Sequence, residues 1–279
     1  PVYFPPCIGA FIGADTVCAM LSAGMPVPGA GDDLYPGDMP PSSPVLLTDI
    51  GTNNEIVLYT PPAEAHNGRI LCTSAAAGPA FEAANISCGM SSVDGAVDRV
   101  SYEDGVYTCH VIGDGKAKGL CGTGLVSAAA LFFKTGAIDR GGVIRKHLSN
   151  LGDGSPCIQL TPAVYVSQQD IRNLQLAKSA VRTGLQYLLE KSPAQPIFCI
   201  AGGFGAHLSM KDASVIGLVP PELEKHCLQL GNAALSGASA LLFSPTLREK
   251  ATQLAKKAYQ INLAAVPGFQ QRFLSMIDF

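Results

Sequence analysis

Apolar residues recur along this chain in two rhythms. From Ser167 the segment SQQDIRNLQLAKSAVRTGLQYLLEKS carries apolar side chains at 171, 174, 177, 181, 185 and 188, a helical spacing sustained over many turns and opened by a Ser-x-x-Asp start. Elsewhere the runs are short. Apolar or alternating stretches near 45–50, 54–60, 69–72, 97–102 and 106–112 predict strands, the first two joined by a tight turn at Gly51–Asn53. A helix from Gly122 to Lys134 follows. PIFCIAGGFGAHL then predicts a short buried strand over Ile197–Ile200 that enters a glycine-rich turn. GNAALSGASALLF reads as a close-packed helix with small residues on one face, and SPTLREKATQLAKKAYQINL as an amphipathic helix with Pro245 at its start. Near the beginning, a short helix is predicted from about Asp15, whose carboxylate is placed to cap the following turn, to Gly24. Residues 25–44, rich in Pro, Gly and Asp, predict a surface loop or insertion. Strands first, then strands mixed with helices, predict an α/β lobe, with residues 139–165 as a candidate internal seam.

Composition narrows the function. A chain of 279 residues has room for one large domain or two linked lobes. Its formal net charge of -3, with 15% charged residues, supplies no broad basic field, so nucleic acid is not an expected partner. Hydrophobic content is 47% but is broken throughout by Gly, Pro and polar residues, and no stretch reads as a membrane span. The nine cysteines are scattered without a C-x-x-C pair or the spacing of an iron-sulfur cluster, as small buried hydrophobes in a reducing cytoplasm would be. The opening PVYFPPCIGAFIGAD has neither a starting Met nor a signal peptide and reads as the interior of a longer polypeptide.

Three glycine-containing motifs carry candidate chemistry. In LLTDIGTNNEIVL a buried strand ends on Asp49, turns through Gly51, Thr52 and Asn53, and restarts. Such a hairpin presents backbone N–H groups and small polar side chains to phosphate oxygens, while Asp49 is positioned for a hydrated Mg²⁺, a hard ion that retains water. Taken alone, the same residues also make an ordinary Asx-type turn. AGGFG at 201–205 follows a strand, and Gly202 and Gly203 there permit close approach of a flat ligand or phosphate. GLCGTGL at 119–125 opens a helix but matches neither a P-loop nor a dinucleotide fingerprint.

Taken in order, GADTVCAML, DIGTNNE, AGGFG and GNAALSGASALL follow the layout of the actin, heat-shock chaperone and sugar kinase superfamily: connecting helix, phosphate hairpin, adenosine motif, second connecting helix. Together with TSAAAGPAFEAANISCGM, GLCGTGLVSAAALFFKTGAID, SQQDIRNLQLAKSAVRTGLQYLL and AGGFGAHLSMKDASVIGLVP, they closely resemble the C-terminal region of the reductive activators of corrinoid proteins, also called methyltransferase-activating proteins. The likeness runs from about Gly9 to Phe279.

The resemblance implies an actin-like, ribonuclease H-like ATPase lobe, a mixed sheet flanked by helices, forming the second lobe of a two-lobed nucleotide cleft. On this reading residues 1–44 are the connecting helix and its loop, residues 45–279 are the lobe, and the first lobe and a [2Fe-2S] domain lie outside the chain. The implied activity is ATP-dependent return of an inactive cob(II)amide protein to cob(I)amide, with ATP or ADP and Mg as ligands and the [2Fe-2S] cluster confined to the full-length protein. The implied partners are a corrinoid (cobalamin-binding) protein and a second copy in a homodimer. Asp49 then positions Mg through water, Gly51, Thr52 and Asn53 contact phosphates, Gly202, Gly203 and Phe204 line the adenosine side, and Gly122, Thr123 and Gly124 serve the sugar or a neighbouring loop. Glu55 is a candidate base for the attacking water, with strand alternation leaving open which way it points. Glu82 reads as structural or partner-facing, and His207 as a surface histidine. Ala206-His207 and GNAALSGASA depart from the family's usual residues. Two other readings stand beside this one: a docking and dimerisation module that binds no nucleotide alone, and a small-molecule kinase of the same superfamily.

Overall fold

The computed structural model describes residues 2–29, 37–63, 68–146 and 149–279. In chain order the elements are α1 (Ala14–Ser22), β1 (Val45–Ile50), β2 (Asn53–Thr60), β3 (Arg69–Ala76), β4 (Ala96–Glu103), β5 (Val106–Val111), β6 (Gly119–Leu120) and α2 (Gly122–Lys134). They continue with β7 (Ser149–Asn150), β8 (Pro156–Gln159), β9 (Tyr165–Ser167), α3 (Gln168–Leu189), β10 (Ile197–Ala201), α4 (Gly202–Gly205) and α5 (Met210–Val215). The last are β11 (Cys227–Gln229), α6 (Ala233–Phe243), α7 (Pro245–Lys257), β12 (Ala258–Gln260) and α8 (Phe269–Ser275). The chain forms two compact units: Pro1–Ala75 with Gly184–Ala206 and Lys225–Phe269, and Ala76–Thr183 with His207–Glu224 and Gln270–Phe279. Residues 139–165 belong to the second unit, and 147–148 among them lie outside the described residues.

The first unit is built on a six-stranded mixed sheet in the order β11-β10-β1-β2-β3-β12. Strand β1 pairs parallel with β10 and antiparallel with β2, so it sits inside the sheet, and Val45, Leu46, Leu47 and Ile50 are all buried. A strand covered on both faces reads as a continuous apolar run rather than an alternating one. One core joins Ala19 and Met20 of α1, Val45 and Leu47 of β1, Cys199 of β10, Ala233 of α6 and Leu254 of α7. Helices α1 and α6 touch backbone to side: a Cβ on Gly237 would lie 2.0 Å from the Cys18 carbonyl oxygen.

Two expectations are corrected here. Asp15 does not cap α1; Gly13 holds the cap position with extended backbone, and Asp15 sits inside the first turn, accepting from the Thr16 N–H at 2.7 Å. The segment 25–44 is not simply a surface loop. Gly24, at φ +62°, turns the chain so that Met25 and Val27 fill the core, and Asp38 makes a buried ion pair with Lys250. Residues 30–36 of that segment lie outside the described residues.

In the second unit β4 pairs with β5 and β6, and β7, β8 and β9 form a separate small sheet. Helix α2 lies on β4 at glycine distance, a Cβ on Gly124 being 2.1 Å from the Val97 carbonyl oxygen. Helix α3 opens with the capping box read in the sequence: the Asp170 N–H donates to Ser167 Oγ at 3.2 Å, and the Ser167 N–H donates to Asp170 Oδ2 at 2.8 Å. Lys178 of α3 is buried and donates to the carbonyls of Met276 and Asp278, which anchors the C-terminal segment.

Gly237→Ala should therefore destabilise the protein by ~3 kcal/mol, since backbone must move to admit the methyl group. Urea denaturation of both proteins checks this; an unchanged midpoint would remove the argument that α1 is placed by close approach to α6.

Candidate functional site

The hairpin of β1 and β2 fixes three acidic or polar positions by register alone. Asp49 lies opposite Glu55 across the antiparallel pair and opposite Ala201 across the parallel one. Directly opposed residues share a face, so Glu55 points the same way as Asp49 and the ambiguity left by alternation is resolved. Glu55 Oε1 accepts from Ser74 Oγ at 3.3 Å. The turn is closed by the Gly51 N–H donating to the Asn53 carbonyl at 3.2 Å. Beneath it, Thr48 Oγ1 donates to Asn54 Oδ1 at 2.9 Å, leaving Asn54 Nδ2 buried with no acceptor. Asn54 braces the hairpin and was not singled out by the sequence.

The glycine turn meets this hairpin directly. Strand β10 ends at Ala201 and Gly202 begins α4 at φ +89°, its N–H donating to the Gly231 carbonyl at 2.9 Å. A Cβ on Gly202 would lie 2.5 Å from Asp49 Oδ1 and 3.4 Å from the Ile50 carbonyl oxygen. The carboxylate thus occupies the space that any other residue at 202 would claim. Gly203 has no protein atom within 4 Å of its missing Cβ, whereas Gly205 packs on Ile200. Two of these glycines are explained by the protein's own packing. Gly203 faces open space and is free for a ligand.

A third carboxylate was missed as part of this site. The charge of Asp15, in the first turn of α1, acts on both hairpin acids. Burial and then Asp15 push the Asp49 carboxyl up from its ordinary value. Burial, followed by Asp15 and with a smaller push from Asp49, raises Glu55 to about 7. No ion pair neutralises these acids among the described residues. The available signal was GADT at the start of a connecting helix, an acid beside a glycine where a helix N-terminus enters. Partly buried like charges without a cation favour either protonation or capture of an external cation. Among the described residues no three His, Cys, Asp or Glu side chains converge closely enough to ligate a metal ion by themselves. A hard cation that keeps its own water shell needs fewer direct protein ligands than that, so the acids of Asp49 and Asp15 are compatible with one.

Thr52 in the turn and half-buried Phe204 on α4 also belong to the first unit, and the other candidates lie in the second. Gly122 and Thr123 form the first turn of α2, Thr123 is buried with its hydroxyl 3.2 Å from Cys121 Sγ, and Gly124 is explained by its contact with Val97. Glu82 is exposed, and exposed His207 lines a cavity together with Thr123.

Comparison with known proteins bears on this geometry. Residues 43–279 match the family described as the C-terminal domain of RACo, the ASKHA domain. The chain belongs to this family, the C-terminal region of the reductive activators of corrinoid proteins. It is 30% identical to the corrinoid activation enzyme RamQ of Eubacterium limosum, over 98% of this chain and 46% of that protein. It is 27% identical to the [Co(II) methylated amine-specific corrinoid protein] reductase of Methanosarcina barkeri, over 100% of this chain and 51% of that one. A solved structure of a reductive activator for corrinoid, iron-sulfur protein superposes with a TM-score of 0.83 at 29% identity, covering 99% of this chain and 44% of that chain. The chain spans about half the length of these relatives. The actin-like ASKHA fold is thereby established, a mixed sheet flanked by helices.

For this ASKHA chain the Glu55 shift has a defined sign. A carboxyl whose folded pKa of about 7 exceeds its ordinary 4.5 weakens folding fully above pH 7 and not at all below 4.5. Glu55→Gln should stabilise the protein by ~1–2 kcal/mol at pH 8, after allowance for solvent screening, and by nothing at pH 4. Urea denaturation at the two pH values measures it; a gain equal at both would show that Asp15 and burial do not set the Glu55 proton.

Proposed function

We propose that this chain is the nucleotide-binding part of an ATP-dependent reductive activator, which returns an inactive cob(II)amide protein to cob(I)amide for methyl transfer. The observation that carries the reading is the contact of Asp49 with the Gly202–Gly203 turn, beside Glu55 and under the charge of Asp15, where no cationic side chain among the described residues pairs with the acids and one glycine faces open space. The relatives' names supply the substrate class: corrinoid proteins. A bound Mg²⁺ would supply charge neutralisation for phosphate oxygens and hold an ordered water shell.

The chain's own residues divide the remaining work. Asp49 and Asp15 receive the hydrated cation. Gly51, Thr52 and Asn53 turn tightly enough to bring backbone and small side chains against phosphates. Gly203 admits ligand without a steric barrier. Glu55, held near neutrality by burial and by Asp15, is poised to accept a proton from an attacking water as the cation draws its neighbours' charge away. On this reading, a [2Fe-2S] group outside the chain would supply the one electron that takes Co(II) to Co(I). That transfer would be uphill from ordinary cellular donors, and nucleotide would drive it by favouring one conformation over another through differential affinity.

A second reading, a docking and dimerisation module, is favoured by exposed apolar side chains gathered near Arg248. Its guanidinium lies 4.9 Å from the Tyr3 ring and donates to the carbonyls of Leu241 and Leu242, beside exposed Val2, Phe4, Leu242 and Phe243.

Calorimetric titration with Mg-ATP and Mg-ADP separates the two. The expected result is binding that Asp49→Asn and Gly203→Val each weaken by at least about tenfold, with the Gly203→Val melting temperature within roughly 2 °C of the parent because no protein atom is displaced. Absence of binding by this chain, with recovery in a longer polypeptide, would favour the docking module. Binding indifferent to both substitutions would remove the assigned turns.

A further inference from the structure

The first unit carries a second concave feature, a groove of about 800 Å³ at the β12 edge of its sheet, which none of the hairpin residues lines. Strand pairing makes its floor. Arg69 and Leu71 alternate onto one face of β3, and parallel pairing sets Tyr259 opposite Leu71, so all three side chains share that face. Leu71 is buried, whereas Arg69 is exposed and Tyr259 keeps 69% of its surface accessible. Tyr187, from the last turn of α3, and Glu190 and Lys191 just beyond it also line the groove. Lys191 Nζ lies 4.4 Å from the centre of the Tyr187 ring, a contact that holds one cation at the groove. Strand β12 has three residues and pairs with β3 alone, so the groove opens at a sheet edge, where partners meet a fold unless something covers it.

Charge sets the sign of what fits. Arg69 and Lys191 line the groove against Glu190 alone, and Lys256 and Lys257, both exposed, end α7 immediately before β12. Together these residues carry a cationic excess in a chain whose net charge is -3. The cations stand in an open groove beside two tyrosine rings rather than converging in a closed pocket. Tyrosine and arginine are the side chains that dominate binding energy at protein interfaces, and complementary charge brings the right partner on quickly and in register. The groove therefore suits a protein surface that offers carboxylates to the cations and apolar atoms to the rings.

We propose that this groove is where the chain receives an acidic surface segment of its corrinoid protein, with Tyr187 and Tyr259 as apolar anchors and Arg69 and Lys191 pairing its carboxylates. The corrinoid identity of the partner rests on the functional reading above. The place and the acidic sign rest on the groove itself.

Biolayer interferometry of this chain against the purified, cob(II)alamin-loaded corrinoid protein of the same cells tests the assignment. Arg69→Glu and Lys191→Glu should each weaken binding by about tenfold and flatten its dependence on salt between about 50 and about 300 mM. Tyr259→Ser should weaken binding at least about fivefold, and Tyr259→Phe, which keeps the ring, by less than about twofold. Phe243→Ser, on the apolar face beside Arg248, should change it by less than about twofold. Melting temperatures within roughly 2 °C of the parent show that each variant folds. Binding that survives every groove substitution but falls with Phe243→Ser would move docking to that face, overturning the proposal while leaving the corrinoid reading intact. Binding seen only in a longer polypeptide, and indifferent there to the groove substitutions, would do the same. No binding by this chain or by the longer polypeptide would remove the corrinoid partner and the groove's assignment with it. Sedimentation showing that the chain self-associates, and that Lys191→Glu abolishes the association, would give the groove to a second copy and overturn the proposal.

Discussion

The carboxylate of Asp49 fills the volume that a side chain at residue 202 would need, and the first unit's site depends on this approach. Parallel pairing of β1 with β10 sets Asp49 level with Ala201, so the next residue must pass the carboxylate at 2.5 Å from its own absent Cβ. Only glycine satisfies both that distance and a φ of +89°. Two motifs more than a hundred residues apart in sequence are thereby held in one arrangement, and Gly203 is carried into open space as a consequence.

Acidic charge is concentrated around that contact by a relay of packing. Gly237 lets α6 lie against the Cys18 carbonyl, which places α1, whose first turn places Asp15, whose charge then acts on Asp49 and Glu55. The cost is native-state destabilisation near neutral pH. It is tolerable only because the acids are partly solvated and can be relieved by a proton or a cation.

How much of this was legible follows from element length. The long helix α3 announced itself through apolar period and a Ser-x-x-Asp cap, and the hairpin through a glycine turn between apolar runs. Strands β7, β9, β11 and β12, each of two or three residues, carry no period to read. At Asp98 a bulge in β4 breaks the alternation from which a side chain's direction would be inferred. Asp15 was visible as an acid at a helix start, but its partners lie on strands that tertiary packing alone brings near. Buried Met25 and Val27 defeated a compositional reading, because Pro, Gly and Asp around them outweigh two apolar residues in any local average.

The contrast with the protein's other buried charges points to the site's purpose. Charged residues make up only 15% of the chain, and those driven into the interior are compensated internally. Lys250 has Asp38, and Lys178, which burial brings down to about 8, has two carbonyl oxygens and lies 5.4 Å from the centre of the Phe279 ring. The acids at the β1–β2 hairpin have hydrogen-bonding hydroxyls and backbone but, among the described residues, no counter-charge. On the proposed function, a fold that neutralises its buried lysines yet leaves partly buried carboxylates without a cationic partner among the described residues reserves that charge for a ligand that comes and goes. A divalent cation arriving with its phosphates would meet that requirement, since it would satisfy the acids only while the nucleotide is bound and so tie their electrostatic relief to the ligand.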